Sequence, residues 1–281
     1  MNKRGVVVKE MKPVFGPIAD AIKKTGIDMM DFSEVEKIKD YDYLIVFYNK
    51  LFPALETRAK VGWWMNDLNS PSKVGTGINW GFDYIFLCNM EFFESYKQVF
   101  ERPVFYMPQC GLDSDNISCR DINWEVLFIG SVAPHRYRNN RKEILEGIGK
   151  SFFLKVISEE RTSVDQNILY RNTKYNLSIS SPLNTTTSNR LFNILASGGF
   201  ALVSYFPGLE KLFKNHQHLV WFKKSKEAIR WINYYDNNPI KYSRIKRLGH
   251  LQYLEKHTAK HRLENMFDIM EGKETKFRGW L

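Results

Sequence analysis

The stretch TSNRLFNILASGGFAL, residues 187–202, joins a polar start to a helical pattern, a double glycine and an apolar strand. Leu191, Ile194 and Leu195 recur at helical spacing with Phe192 and Ala196 beside them, while Arg190, Asn193 and Ser197 fall on the other side. The pattern predicts one core face and one face free to touch a ligand. Thr187 or Ser188 is placed to cap the helix start. Gly198 and Gly199 can end it in a left-handed conformation, and residues 200–203 then read as a buried strand. A helix N-terminus presents exposed N–H groups and the positive end of the dipole; next to an arginine it suits an anion such as a phosphate.

Outward from this stretch, short apolar runs alternate with helical patterns. In the first half the runs at 5–8, 27–30, 43–48, 61–64, 84–88 and 104–107 read as strands, with helices near 14–24, 33–38, 52–59 and 91–100. In the second half strands are expected at 125–129, 152–157, 175–180, 200–204 and 218–222, helices at 138–148, 188–197 and 208–213, and a mostly helical tail over 225–270. This is the βα alternation of parallel, doubly wound sheets. The polar, aperiodic residues 108–123 interrupt it. Two Rossmann-like domains are implied, 1–113 and 124–256, with a linker at 114–123 and a helical tail, 257–281, near the domain junction. Ligands are expected where strand C-termini face the cleft.

The chain has 281 residues and 43% hydrophobic content, enough for two packed cores. No apolar run approaches the roughly 20 residues of a membrane span, and the first ten residues lack the apolar centre of a signal peptide. A cytoplasmic protein is expected. Cys88, Cys110 and Cys119 have no metal-ligand spacing and read as reduced thiols. Residues 1–113 carry 14 Lys and Arg against 15 Asp and Glu, and residues 114–281 carry 27 against 16. The net charge is therefore −1 in the first part and +11 in the second, a field that favours an anionic ligand or partner. No metal cluster, P-loop lysine or nucleophile elbow is visible, which argues against metalloenzyme, kinase and hydrolase classes.

Three segments of the second half, VLFIGSVAPHRYRNNRKEIL, NLSISSPLNTTTSNRLFNILASGGFALVSYFPGLEKLF and HTAKHR, occur in an order and spacing that resemble the CgeB-like (spore maturation protein) branch of GT-B glycosyltransferases. GWWMND and FDYIFLCN in the first half resemble it more loosely. The resemblance implies an α/β GT-B fold, two Rossmann-like domains facing across a cleft. It implies a UDP- or GDP-sugar donor bound by the second domain and no separate cofactor. Gly130, Ser131, Arg136, Thr185, Thr186, Thr187, Ser188, Asn189, Arg190 and Asn193 would form the donor site. Asn193 stands where the family has a glutamate that grips the ribose, and Thr185 replaces its partner glutamate.

Asp67 emerges after the apolar VGWW run and could accept a proton from an acceptor hydroxyl; an Asx turn is the structural alternative. Trp63, Trp64 and Trp80 read as core, and His257 with Arg262 as packing. For the acceptor, a strongly basic enzyme suits a polyanion. A hydroxymethylated base in DNA, as in phage DNA-modifying transferases, is the first candidate, and the enzyme would then act in the host cytoplasm. Arg138, Arg141, Lys241, Arg244, Lys246 and Arg247 are the candidate DNA contacts, although Arg138 and Arg141 also read as a solvated helix face. Cell-envelope, spore-coat and protein hydroxyls are alternative acceptors. A catalytically silent nucleotide- or nucleic-acid-binding module is the rival from another class.

Overall fold

The computed structural model describes residues 2–8, 22–31, 38–47, 57–65, 82–88, 90, 93–99, 102–111, 124–132, 140–157, 166–180 and 188–281. The chain divides into two compact units, Met1–Gln109 with Ala259–Arg278, and Cys110–Thr258 with Gly279–Leu281.

In the first unit β1 (Arg4–Val8), β2 (Asp28–Asp31), β3 (Tyr43–Phe47), β4 (Lys60–Met65), β5 (Tyr84–Leu87) and β6 (Val104–Tyr106) form one sheet, and α1 (Phe93–Val99) precedes β6. The strand order is β2-β1-β3-β4-β5-β6, with every neighbouring pair parallel. Strands covered on both faces read as continuous apolar runs, as YLIVF in β3 does. Leu44, Ile45 and Val46 are all fully buried. Trp63 and Trp64 belong to this interior, and Trp64 Nε1 donates to the Met107 carbonyl at 3.2 Å.

The second unit contains β7 (Val126–Ile129), α2 (Asn140–Gly149), β8 (Leu154–Ile157), α3 (Gln166–Asn172), β9 (Tyr175–Ser178), α4 (Asn189–Ala196), β10 (Ala201–Ser204), α5 (Leu209–Leu212), β11 (Val220–Phe222), α6 (Ser225–Asp236) and α7 (Pro239–Lys256). Its sheet is parallel throughout, in the order β11-β10-β9-β7-β8. Phe128, Leu177, Phe200, Leu202 and Phe222 fill the core together with residues of the covering helices. The strands expected from the sequence lie within two residues of those observed at either end. The helices expected at 14–24, 33–38 and 52–59 fall largely outside the described residues, and α3 was not anticipated.

The last helix, α8 (Ala259–Met270), returns to the first unit. Arg262, fully buried, donates Nε to the Pro108 carbonyl at 3.0 Å and lies over the Phe277 ring. Arg4 pairs with Glu271 at 2.8 Å and tethers the helix end to β1. Among the described residues no helix is long and apolar enough to cross a membrane.

Candidate functional site

Both sheets have the strand order in which the chain steps from the first strand to one side and then crosses to the other. In the second unit that switch falls between β7 and β9. At such a switch point the strands send their connections to opposite faces of the sheet, and ligands of parallel α/β sheets bind there, at the strand C-termini. Ile129 closes β7 and Ile179 follows β9, so both stand at this switch point.

Arg190 occupies it. Its Nε donates to the Ile129 carbonyl at 2.5 Å and its Nη1 to the Ile179 carbonyl at 3.1 Å, so one guanidinium bridges the two strands. The side chain can do this because α4 starts directly above. Ser188 has extended backbone, with φ −66° and ψ 140°, and its hydroxyl accepts from the Arg190 N–H at 3.2 Å, an N-cap contact. Gly198, at φ 68°, ends the helix region in the left-handed conformation that glycine allows.

A second guanidinium joins the first. Arg141, on α2, donates Nη1 to the Ser131 carbonyl at 2.6 Å and Nη2 to the Ile179 carbonyl at 2.9 Å. Both cations lie on the Phe128 ring, with Cζ at 4.6 Å for Arg190 and 5.4 Å for Arg141. Gly130 completes the arrangement at φ 153°; a Cβ there would fall on Arg190 Nη2. Carbonyl dipoles and a ring face hold the two guanidinium groups in place, and fixed positive charge beside a helix N-terminus suits anions.

The structure thus brings Gly130, Ser131, Ser188 and Arg190 together, with Asn189 opening α4. Two expectations are corrected. Asn193 and Ser197 are not on a free face: they are 5% and 0% exposed. α4 is covered on that side as well, where Ser197 Oγ lies 2.9 Å from Asn167 Oδ1 on α3 and 2.7 Å from the Asn193 carbonyl. Arg141 is not on a solvated helix face either; it is 5% exposed, and its guanidinium turns inward to reach two carbonyls. Lys241, Arg244 and Arg247 are exposed on α7, and Lys246 is half-buried there. Asp67, Trp80, Cys119, Arg136, Arg138, Thr185, Thr186 and Thr187 lie outside the described residues. His257 is fully buried against Phe192 and Phe213.

Sequence reasoning missed Phe128 as the platform for both arginines. Its position one residue before the end of an apolar strand carries no signal of that role. Among the described residues no group of three His, Cys, Asp or Glu could hold a metal ion.

Residues 131–268 match a family described as glycosyl transferase-like. A comparison with curated protein sequences finds no relative. An alpha-glucosyltransferase solved with UDP-glucose and DNA containing an abasic site is similar in structure, with TM-score 0.68 and 11% identity over 95% of this chain and 99% of that one. Anabaena HepE in complex with UDP and glucose has TM-score 0.63 and 10% identity over 96% of this chain and 100% of its own. An alpha1,3-fucosyltransferase with GDP has TM-score 0.57 and 13% identity over 99% of this chain and 93% of its own. The fold is that of the GT-B glycosyltransferases.

Proposed function

We propose that this GT-B chain is a nucleotide-sugar glycosyltransferase of the CgeB-like branch, that Arg190 holds its donor's diphosphate, and that its acceptor is a hydroxymethylated base in DNA. One observation carries the donor site: the Arg190 guanidinium, at the head of a capped helix, is pinned to the carbonyls of Ile129 and Ile179 at the switch point. In the transfer the sugar's anomeric carbon loses its bond to the diphosphate oxygen and gains one to the acceptor oxygen. The nucleoside diphosphate leaves with the electron pair, and the acceptor hydroxyl gives up its proton. Negative charge therefore grows on the diphosphate as the bond breaks. Cations and N–H groups already in place stabilise that charge more in the transition state than in the ground state.

Arg136 and residues 185–189 complete the proposed donor site, and Asp67 is the proposed proton acceptor, both on the sequence motifs. The donor is a UDP- or GDP-sugar and no cofactor is required. Two observations support DNA as acceptor: the +11 charge of residues 114–281, and the same fold in an alpha-glucosyltransferase solved with UDP and a 13-mer DNA containing an HMU base. The target base would have to leave its stack to reach the donor. The reaction belongs in the cytoplasm, where nucleotide sugars and DNA meet.

The test is a nucleotide-sugar panel read for released UDP or GDP, with and without hydroxymethylated DNA. Release that rises with the modified DNA is expected. Nucleotide binding without release from any donor would overturn the enzymatic reading in favour of a silent binding module. Release stimulated only by carbohydrate or protein hydroxyls would overturn the DNA reading alone.

A further inference from the structure

In a parallel sheet all strand starts share one edge, so the N-terminal ends of β7, β9 and β11 lie at the end of the second unit opposite Arg190. Two grooves open at that end. One, of about 600 Å³, is lined by His216, Trp231, Tyr234, Lys241 and Arg244 among others. The other, of about 350 Å³, is lined by Trp124, Arg171, Lys174, Tyr242 and Lys246 among others. The first half of α7 runs between them and supplies cations to both.

These cations are seated on rings. Lys241 Nζ lies 5.1 Å from the Tyr234 ring centroid and 2.5 Å from its hydroxyl. Arg230 Cζ lies 5.1 Å from Trp231, Lys246 Nζ 5.6 Å from Tyr242 and Lys155 Nζ 5.7 Å from Trp124. A ring face positions a cation without neutralising it. Of the nearby carboxylates, Asp236 pairs at 2.8 Å with Lys174 of the second groove and accepts from the Tyr175 hydroxyl at 2.5 Å, and Glu125 accepts from the Phe153 N–H at 2.8 Å. Residues 214–250 hold nine Lys and Arg against two acidic residues. Moreover, α7 has no acidic residue in its first turn, yet Lys241, Arg244, Lys246 and Arg247 sit in its first half. The positive end of the helix dipole disfavours cations there. The dipole does not favour Lys241 in that first turn, whereas a bound polyanion would be drawn to it and to the cations that follow.

We propose that this face is a second DNA contact, in which the first half of α7 lies against the phosphate backbone of the acceptor strand outside the transfer site. The inference rests on the DNA-acceptor reading and extends it. Cations on both sides of a helix roughly 10 Å across suit the repeated phosphates of a chain better than a single nucleotide. A lone acceptor nucleoside held near Arg190 does not reach the opposite end of the unit; a DNA chain passing along it does.

The test is fluorescence anisotropy of the full chain and of Lys241→Ala with Arg244→Ala, using a long hydroxymethylated duplex and a short one that covers only the transfer site. In the double variant, affinity for the long duplex should fall about tenfold or more at about 50 mM salt. The slope of log affinity against log salt should shrink by about two, one per lost phosphate contact. Affinity for the short duplex and for UDP should hold. An unchanged slope and long-duplex affinity would overturn the proposal, and so would an equal loss on both duplexes, which would put the contact at the transfer site. If the unmodified protein releases UDP but binds no DNA, this inference and the DNA acceptor fall together while nucleotide-sugar transfer stands.

Discussion

Arg190 and Arg141 donate to one and the same acceptor, the carbonyl oxygen of Ile179, at 3.1 and 2.9 Å. Two like charges converge on a single dipole, and an anion bound beside them would be drawn to both. Arg190→Ala should therefore weaken UDP or GDP binding by about 1.5–3 kcal/mol, the range for a hydrogen bond to a charged group. Arg190→Lys keeps the charge but cannot fork to both strands, and should recover only part of the affinity. Calorimetric titration of each folded variant decides this. Unchanged affinity in the alanine variant would remove the donor assignment.

Gly130→Ala perturbs the same site from the backbone. The residue holds φ 153°, and an added Cβ would fall on Arg190 Nη2. Backbone strain of about 1–3 kcal/mol is expected in the thermal melt, together with a loss of nucleotide affinity as the arginine is displaced. Because both substitutions act through Arg190, their effects on affinity should not add in the double variant.

Asn193→Glu restores the residue type of the resembling family at a position that is 5% exposed. A carboxylate forced into that interior loses its hydration, so a stability loss of at least about 1–3 kcal/mol is expected. Differential scanning calorimetry with and without UDP is the measurement. A tighter donor complex at an unchanged Tm would show instead that the side chain reaches the ribose.

Gly249→Ala tests the packing that holds α4. An added Cβ on α7 would run into the His218 backbone carbonyl and lie 3.0 Å from Leu195 Cδ2. Backbone cannot yield as a side-chain tip does, so overpacking should cost about 1–3 kcal/mol. His250, one residue on, lies 2.8 Å from the Leu195 carbonyl through Nδ1, and this contact should loosen with it. A melt indistinguishable from that of the unsubstituted chain would show that the helix can shift freely.

Stability should also fall on mild acidification. Burial pushes the His218 pKa below 6.5, and Lys214 and Lys256 add to the shift; burial lowers that of His216 as well. His218 Nδ1 accepts the Lys214 N–H at 3.3 Å, which only a ring unprotonated at that nitrogen can do. The unfolded chain thus takes up protons at a higher pH than the folded one. The contribution is full above pH 6.5 and is lost as pH falls from there through the lowered folded values, about 1.4 kcal/mol for each unit of separation. His218→Gln should flatten the dependence of Tm on pH in that window. An unaltered pH profile would show that His218 does not carry it.

The strands were legible because a strand buried on both faces leaves an unbroken apolar run, as β3 does with YLIVF. α4 was legible from its period, its capping Ser188 and its double glycine. α3, QNILYRN, was not: its apolar residues are adjacent rather than periodic, and it is placed by burying Leu169 and Tyr170 and by the contact of Asn167 with Ser197. The sequence singled out Gly130, Ser188 and Arg190 through local chemistry, and the structure sets them side by side at the switch point. The burial of Arg141 and Asn193 was not readable, since a pattern that marks a polar side cannot tell whether the rest of the fold will cover it.

By itself the sequence determined the two parallel sheets and the anion-suited start of α4, because periodicity, capping and glycine placement act over a few neighbouring residues. Only the tertiary structure decided that Arg190 and Arg141 share the Ile179 carbonyl over Phe128, and that the polar side of α4 is interior. Those outcomes depend on the crossover that sets β7 beside β9 and on the packing of α3 and α7 about α4. Such contacts join residues tens of positions apart, 61 in the case of Arg190 and Ile129, and no local pattern encodes them.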